Sequence, residues 1–140
     1  MIEIRVNGLP APQGSKRHVG GGRMVESSKK VKPWRTAVAA ETEKHDFGPW
    51  PFVGVAVWFL LPRPKSHYRT GRFAHLLKDN APAYPDRYPD LDKLCRSTLD
   101  ALRMGGAFKD DAQVVKLDAY KVYADQAEQP GARIQVFPVL

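Results

Sequence analysis

Phe52-Val53-Gly54-Val55-Ala56-Val57-Trp58-Phe59-Leu60-Leu61 is the longest apolar run in the chain, and a proline stands at each end of it, Pro51 and Pro62. Ten residues fall well short of the ~20 that a membrane-spanning helix requires. The run is short and rich in β-branched side chains, which suits a buried central strand better than a helix. A strand of that kind calls for other elements to cover it, and the flanking sequence supplies them.

Upstream, Ile2, Ile4 and Val6 alternate with Glu3, Arg5 and Asn7, the period of a half-buried strand. Gly8 to Ser28 is rich in Gly, Pro and Ser and reads as one long loop. A helix is expected from about Lys32 to His45, with Pro33 in its first turn and Trp34, Ala37, Val38 and Glu41 at helical spacing. Downstream, residues 62–89 carry five prolines and read as an irregular excursion. A second helix is expected from Asp90 or Leu91 to about Arg103, ending before Gly105-Gly106, with Leu91, Leu94, Leu99 and Leu102 as core contacts. Gln113–Tyr123 and Arg133–Val139 read as two strands, expected to pair antiparallel through Gln129-Pro130-Gly131. No repeat and no linker interrupts the chain. The expectation is a single domain, residues 1–140, of α/β (α+β-like) class.

Composition narrows the partners. The 140 residues hold 22 Lys+Arg and 15 Asp+Glu, a net charge of +7, so an acidic polymer is the expected partner. The charge is unevenly spread: residues 1–89 contain 15 basic and 7 acidic side chains, residues 90–140 contain 7 and 8. Lys16, Arg17, Arg23, Lys29, Lys30, Lys32 and Arg35 form the densest basic stretch, a phosphate-binding pattern that a solvated loop would also produce. With Cys95 as the single cysteine, no internal disulfide can form; with no secretory signal at the N-terminus either, a reducing cytoplasm is expected. Cys95, within the second helix, reads as a small core residue. His18, His45, His67 and His75 lack zinc spacing, and Gly20-Gly21-Gly22 is no phosphate-binding loop.

The acidic part carries the chemistry. Asp90-Leu91-Asp92 opens the second helix and Asp110-Asp111 precedes a strand. Mg²⁺ takes oxygen ligands, and one or two carboxylates with water and substrate phosphate can hold it. Residues two apart inside a helix point ~200° away from each other, so an Asp-x-Asp pair converges best at a helix boundary such as Asp90. Arg96 shares the helix face of Asp92, and Lys93 that of Asp90; either could balance the acids or meet transition-state charge. Asp100 lies ~12 Å along the helix from Asp92 and is assigned to structure or solvent. Spacing alone leaves a second reading open, with Asp90 only a helix cap and Asp110-Asp111 only a turn.

The stretch Pro89-Asp90-Leu91-Asp92-Lys93-Leu94, then Leu99-Asp100-Ala101-Leu102 and Asp110-Asp111-Ala112-Gln113-Val114-Val115, resembles the signature of the RusA family of Holliday-junction resolvases. Pro10-Ala11-Pro12-Gln13-Gly14-Ser15-Lys16-Arg17 is similar to the family's early proline-and-basic loop. The resemblance implies a small fold with a mixed sheet packed by two helices. It also implies a homodimeric endonuclease, dependent on Mg²⁺ or Mn²⁺, that nicks four-way DNA junctions in recombination and repair. Its essential acids fall on Asp90, Asp92 and Asp111, with Asp110 beside them as a supporting ligand. Arg96 stands where the best-known members carry lysine, and Lys93 where many carry asparagine; both are expected to serve the transition state. Unlike lysine, arginine stays protonated and grips phosphate as a fork.

Residues 62–89 are longer than in compact members. They hold Arg63, Lys65, Arg69, Arg72, Lys78 and Arg87 among Tyr68, Phe73 and Tyr84, a pattern that suits DNA backbone contact and base stacking, and equally an ordinary surface excursion with a few packed rings. Lys16, Arg17, Arg23, Lys29, Lys30, Arg69 and Arg72 are the expected DNA contacts. Two rival readings remain: a non-catalytic junction- or DNA-binding protein, and a nuclease acting on flaps or other branched DNA.

Overall fold

The apolar run folds as a strand, with Phe52 left exposed and Val53 to Leu61 taken into the sheet. In chain order the computed structural model contains β1 (Ile2–Asn7), β2 (Lys16–His18), β3 (Met24–Glu26), α1 (Val31–Thr42), β4 (Val53–Leu61), α2 (Leu91–Met104), β5 (Val114–Tyr123) and β6 (Gly131–Pro138). Single 3-10 turns lie at Lys65–His67, Gly71–Phe73 and Asp111–Gln113. Residues 1–14 and 29–140 are described throughout, and between them only the backbone of β2 and β3.

The main sheet has the order β1-β6-β4-β5. β4 pairs parallel with β5 and antiparallel with β6, so the sheet is mixed. Eight of the nine residues of β4 are buried, which demands a paired neighbour on each edge and cover on its faces. That demand overturns the expected β5–β6 hairpin. The two strands flank β4 instead of each other, and the chain between them crosses the end of β4, where the Ala124 amide donates to the Leu61 carbonyl at 2.8 Å. The Gly8–Ser28 loop also needs correction, because β2 and β3 pair antiparallel within it. Three-residue strands are too short to show a period of two.

Both helices pack on one face of the sheet. Val55, Val57 and Phe59 of β4 meet Ile4, Val6, Ile134 and Val136, and on them sit Trp34 and Val38 of α1 and Leu94 and Leu102 of α2. Leu91 and Leu99 are only half-buried, at the margin of this core toward β5. On the opposite face Trp58 stacks against Tyr120, ring centroids 5.6 Å apart and planes 11° from parallel. α1 ends at Thr42, a turn before the expected boundary, where exposed Glu43, Lys44 and His45 give no apolar face to extend it.

Two contacts lock the helices together. The Trp34 indole donates to Thr98 Oγ1 at 3.1 Å with both residues buried. At the far end of α2, Gly105 has an ordinary φ of −82°, so its conformation does not require glycine. Packing does: an added methyl would lie 2.6 Å from Thr42 Cβ and 2.9 Å from the Ala39 carbonyl oxygen. Gly105→Ala therefore lowers stability by about 1–3 kcal/mol. Denaturant unfolding measures the loss, and adding Thr42→Ser recovers only a small part of it, because serine removes the Cγ2 methyl at 2.9 Å but keeps the closer Cβ.

Candidate active site

α2 starts where a carboxylate is expected to cap it, yet the cap is not made. Asp90 holds the N-cap position in extended conformation (φ −71°, ψ 138°) and its carbonyl accepts from the Leu94 amide at 3.0 Å. Its side chain bonds no helix amide and remains 60% exposed, with Lys93 Nζ 3.6 Å from one oxygen. Asp92, one residue into the helix, is exposed as well. The positive end of the helix dipole favours both carboxylates there.

Three contacts fix this corner. Lys121 Nζ, from β5, donates to the carbonyls of Arg87 and Pro89, each at 2.9 Å, and so tethers the segment leading into Asp90. The Pro10–Gly14 loop runs along α2, its Gln13 amide bonded to the Lys93 carbonyl (3.0 Å) and its Ala11 carbonyl to the Ser97 hydroxyl (2.6 Å). Gly14 has φ +111°, and a methyl there would sit 3.0 Å from the Arg96 guanidinium. Arg96 thus lies over the loop, and with Asp92 it borders a shallow cleft between α2 and β5.

The second acidic pair divides its labour. Asp110 Oδ1 accepts from the Ala112 amide at 2.9 Å, while Gln113 Oε1 accepts from the amides of Lys109 (3.0 Å) and Asp110 (3.1 Å), a complete capping box. Gln113 also donates to the Trp50 carbonyl at 3.0 Å, which pins the turn to the body. Asp111 is left exposed, with Arg103 Nε at 3.7 Å.

Behind Asp111 runs an ion network that the sequence pattern did not assign to the site. Arg103 donates to Asp100 at 2.9 Å, and Asp100 also meets Arg35 of α1 at 3.0 Å. The i, i+3 spacing of Asp100 and Arg103 is the one signal that could have exposed it. Burial alone would push the Asp100 carboxyl up. The hydrogen bond from Arg103, the charges of Arg35 and Arg103 and a hydrogen bond from Gln13 together hold it below the usual carboxylate range. Asp100 therefore serves structure.

α2 separates the two acidic elements. Asp90 and Asp92 stand at its start, Asp111 beside Arg103 at its end, and 14 residues at ~1.5 Å each put ~20 Å between them. Within one chain the structure brings Asp90 and Asp92 together with Lys93 and Arg96, and Asp110 and Asp111 together with Arg103. It does not join the two groups, and among the described residues no cluster of three acidic, His or Cys side chains could hold a metal ion. Cys95 is buried on α2 between them, its thiol pushed up to about 11 by burial and then by the Asp92 charge. It is inert packing, not a nucleophile.

The expected DNA contacts also sort. Lys29 and Lys30 are exposed in the turn before α1. The side chains of Lys16, Arg17 and Arg23, like Gly20-Gly21-Gly22, lie outside the described residues. Arg69 is committed within residues 62–89, donating to the Leu77 carbonyl (3.1 Å) and to Asp79 (2.9 Å). Arg72 lies over the Phe73 ring at 4.9 Å. Arg63 covers the Tyr123 ring at 4.0 Å and donates to the Pro82 carbonyl at 2.7 Å, closing the excursion onto the sheet.

Because the Asp100 carboxyl titrates lower in the folded than in the unfolded chain, its stabilisation is present above the ordinary value of ~3.9. It is lost as pH falls through the folded value. Asp100→Asn is expected to lower stability by about 1–2 kcal/mol at pH 7 and to flatten the acid limb of the profile. Unfolding curves between pH 3 and 7 measure both effects.

A search of curated proteins returns no match to the chain. The family model described as "Endodeoxyribonuclease RusA" matches residues 7–136, from the end of β1 into β6. That span takes in both acidic elements, the helix between them and the sheet that carries them: the chain belongs to the RusA family of endodeoxyribonucleases.

Proposed function

We propose that the chain works as a homodimer that resolves four-way (Holliday) DNA junctions by paired nicks, in recombination and repair, with Mg²⁺ or Mn²⁺ as cofactor. One observation carries the reading: the capping position of α2 is occupied by a carboxylate that does not cap. A helix that wanted only a cap would use that oxygen, as Asp110 does in the next turn. Asp90, Asp92 and Asp111 instead keep exposed carboxylates, Asp90 beside Lys93 and Asp111 beside Arg103, the oxygen donor set that a hard divalent ion takes.

The ~20 Å between the two acidic groups supports a dimer on geometric grounds. A two-fold axis crossing the middle of α2 sets the start of each helix against the end of its mate. Asp90 and Asp92 of one protomer then share a site with Asp111 of the partner subunit. The surface suited to this contact is the cleft between α2 and β5, lined by Leu91, Cys95, Leu99, Leu117 and Ala119. β5 is an edge strand with Val115 56% and Leu117 41% exposed, an apolar edge of the kind that seeks a partner.

The carboxylates would hold the ion, which supplies polarisation of the phosphoryl oxygen and an activated water. Arg96 grips the phosphate as a fork and meets the charge that grows on it. Lys93 neutralises Asp90, so that phosphate can approach an acidic corner. Two such sites on a two-fold dimer match a junction that is itself nearly two-fold symmetric.

A synthetic four-way junction tests the reading. Asp90→Asn and Asp111→Asn should each lower nicking by about 100-fold or more while junction binding persists. Mixing the two inactive variants should restore about a quarter of the sites, because a mixed dimer retains one intact shared site. A mixture that stays inactive would place each site within one chain. Full nicking by both variants, or equal cutting of flap or linear duplex, overturns the assignment.

A further inference from the structure

The ends of β4 and β5, the loops after β1 and β4, and the segment entering α2 meet at one end of the sheet and enclose a cavity of about 390 Å³. Its floor is Leu61 and Tyr123, which are paired in register. Six prolines drawn from three segments wall it, and Lys30, Asp86, Arg87 and Tyr88 stand among its lining. The volume falls within the range of small-molecule sites.

The cavity is built, not incidental. Arg63 covers one face of Tyr123 at 4.0 Å, and the His67 ring meets Tyr123 edge-on at 5.7 Å. Lys121 ties down the Arg87 and Pro89 carbonyls on the far wall. Proline walls offer flat apolar surface without a backbone N–H, and proline loses no side-chain freedom when a ligand binds. A planar ring fits such a slot, and cations at its edge suit a ring that carries phosphate. Among the described residues neither Lys30 nor Arg87 has an acidic partner within ion-pair distance.

The position fixes what the ring belongs to. Pro89 is wall, and Asp90 is the next residue along the chain. We infer that this cavity receives a nucleobase unstacked from the branch point, the base next to the phosphate that is cut; this rests on the nuclease reading above. Tyr88, 70% exposed, offers a face for it to stack on, and Lys30 and Arg87 take the adjoining phosphate. Asp86 is the acceptor for an exocyclic amino group on the base edge. Unstacking a base is least unfavourable at a branch point, where stacking is already interrupted, so the cavity selects for branched over continuous duplex.

The test places 2-aminopurine, whose fluorescence rises when it unstacks, at each nucleotide flanking the nicked phosphates of a synthetic four-way junction. The full-length protein is added without divalent metal, so that the DNA is bound but uncut. One position should brighten several-fold with the wild-type protein. Leu9→Trp, which fills the cavity mouth, and Tyr88→Ala, a surface change that spares the fold, should both abolish the rise. With Mg²⁺ each should lower nicking about tenfold while junction affinity stays within about twofold, because the base that no longer enters the cavity regains its stacking in the DNA and offsets the lost contact. A bound and nicked junction whose probes all stay dark, or variants that cut like the wild type, overturn the cavity assignment alone. A wild-type protein that neither binds nor nicks the junction overturns the nuclease reading and takes this inference with it.

Discussion

β4 is so thoroughly apolar that water must be kept from both of its faces and both of its edges, and the other elements are arranged around that requirement. β5 and β6 take the two edges, the first parallel and the second antiparallel. α1 and α2 cover one face, with Val55, Val57 and Phe59 beneath them. The parallel pairing has a further effect. To enter β5 in the same direction as β4, the chain must first travel back along the sheet, and α2 makes that return. The acidic residues sit at the two ends of this return path, which is why they are far apart within one chain and why the proposed shared site calls for a second copy.

The contrast between Asp90 and Asp110 shows how one residue type at one kind of position can do two jobs. Both precede a helical turn in extended conformation. Asp110 bonds the Ala112 amide and is backed by Gln113, so its turn is closed and its oxygen is occupied. Asp90 faces Lys93 and solvent, while its neighbourhood is held by other means: the Lys121 ammonium on two carbonyls and the Gln13 amide on the Lys93 carbonyl. Support from outside the helix end frees the carboxylate. At the other end of α2, Asp100 and Arg103 provide equivalent support beneath Asp111.

Much of this was legible in the residues, for definite physical reasons. Strand β1 announces itself through alternation, β4 through its unbroken apolar run, and α2 through Asp90 ahead of a leucine pattern that stops at Gly105-Gly106. These are local signals and they locate elements. Strand order is not local: β5 and β6 are adjacent in sequence, and only the competition for the edges of β4 separates them. The division between Asp110 and Asp111 was hidden for a similar reason, since it depends on Gln113 reaching back to the Lys109 and Asp110 amides. The arginines of residues 62–89 are the clearest case. Composition leaves them open as cations for DNA or as part of an ordinary surface excursion, and in the fold Arg63 and Arg69 bind carbonyls and Asp79 within that segment.

That use of arginine bears on how a basic protein can hold acidic DNA against an acidic site. Among the described residues, Lys30 and Arg87 at the cavity and Arg96 over Gly14 are the cations near the start of α2, while Lys32, Lys65, Arg72, Lys78, Lys109 and Lys116 are exposed elsewhere on the chain. Carboxylates and phosphate repel each other, and the repulsion weakens only where positive charge stands between them. On the proposed reading, Lys93 beside Asp90 and Arg103 beside Asp111 would supply that charge. Net charge is therefore a poor guide to how such a protein grips DNA. A strongly cationic surface would bind any duplex, and a bare acidic corner would bind none. On the reading proposed above, a corner whose acids are individually screened, next to a cavity that takes one ring, would discriminate by the geometry of the strand it is offered.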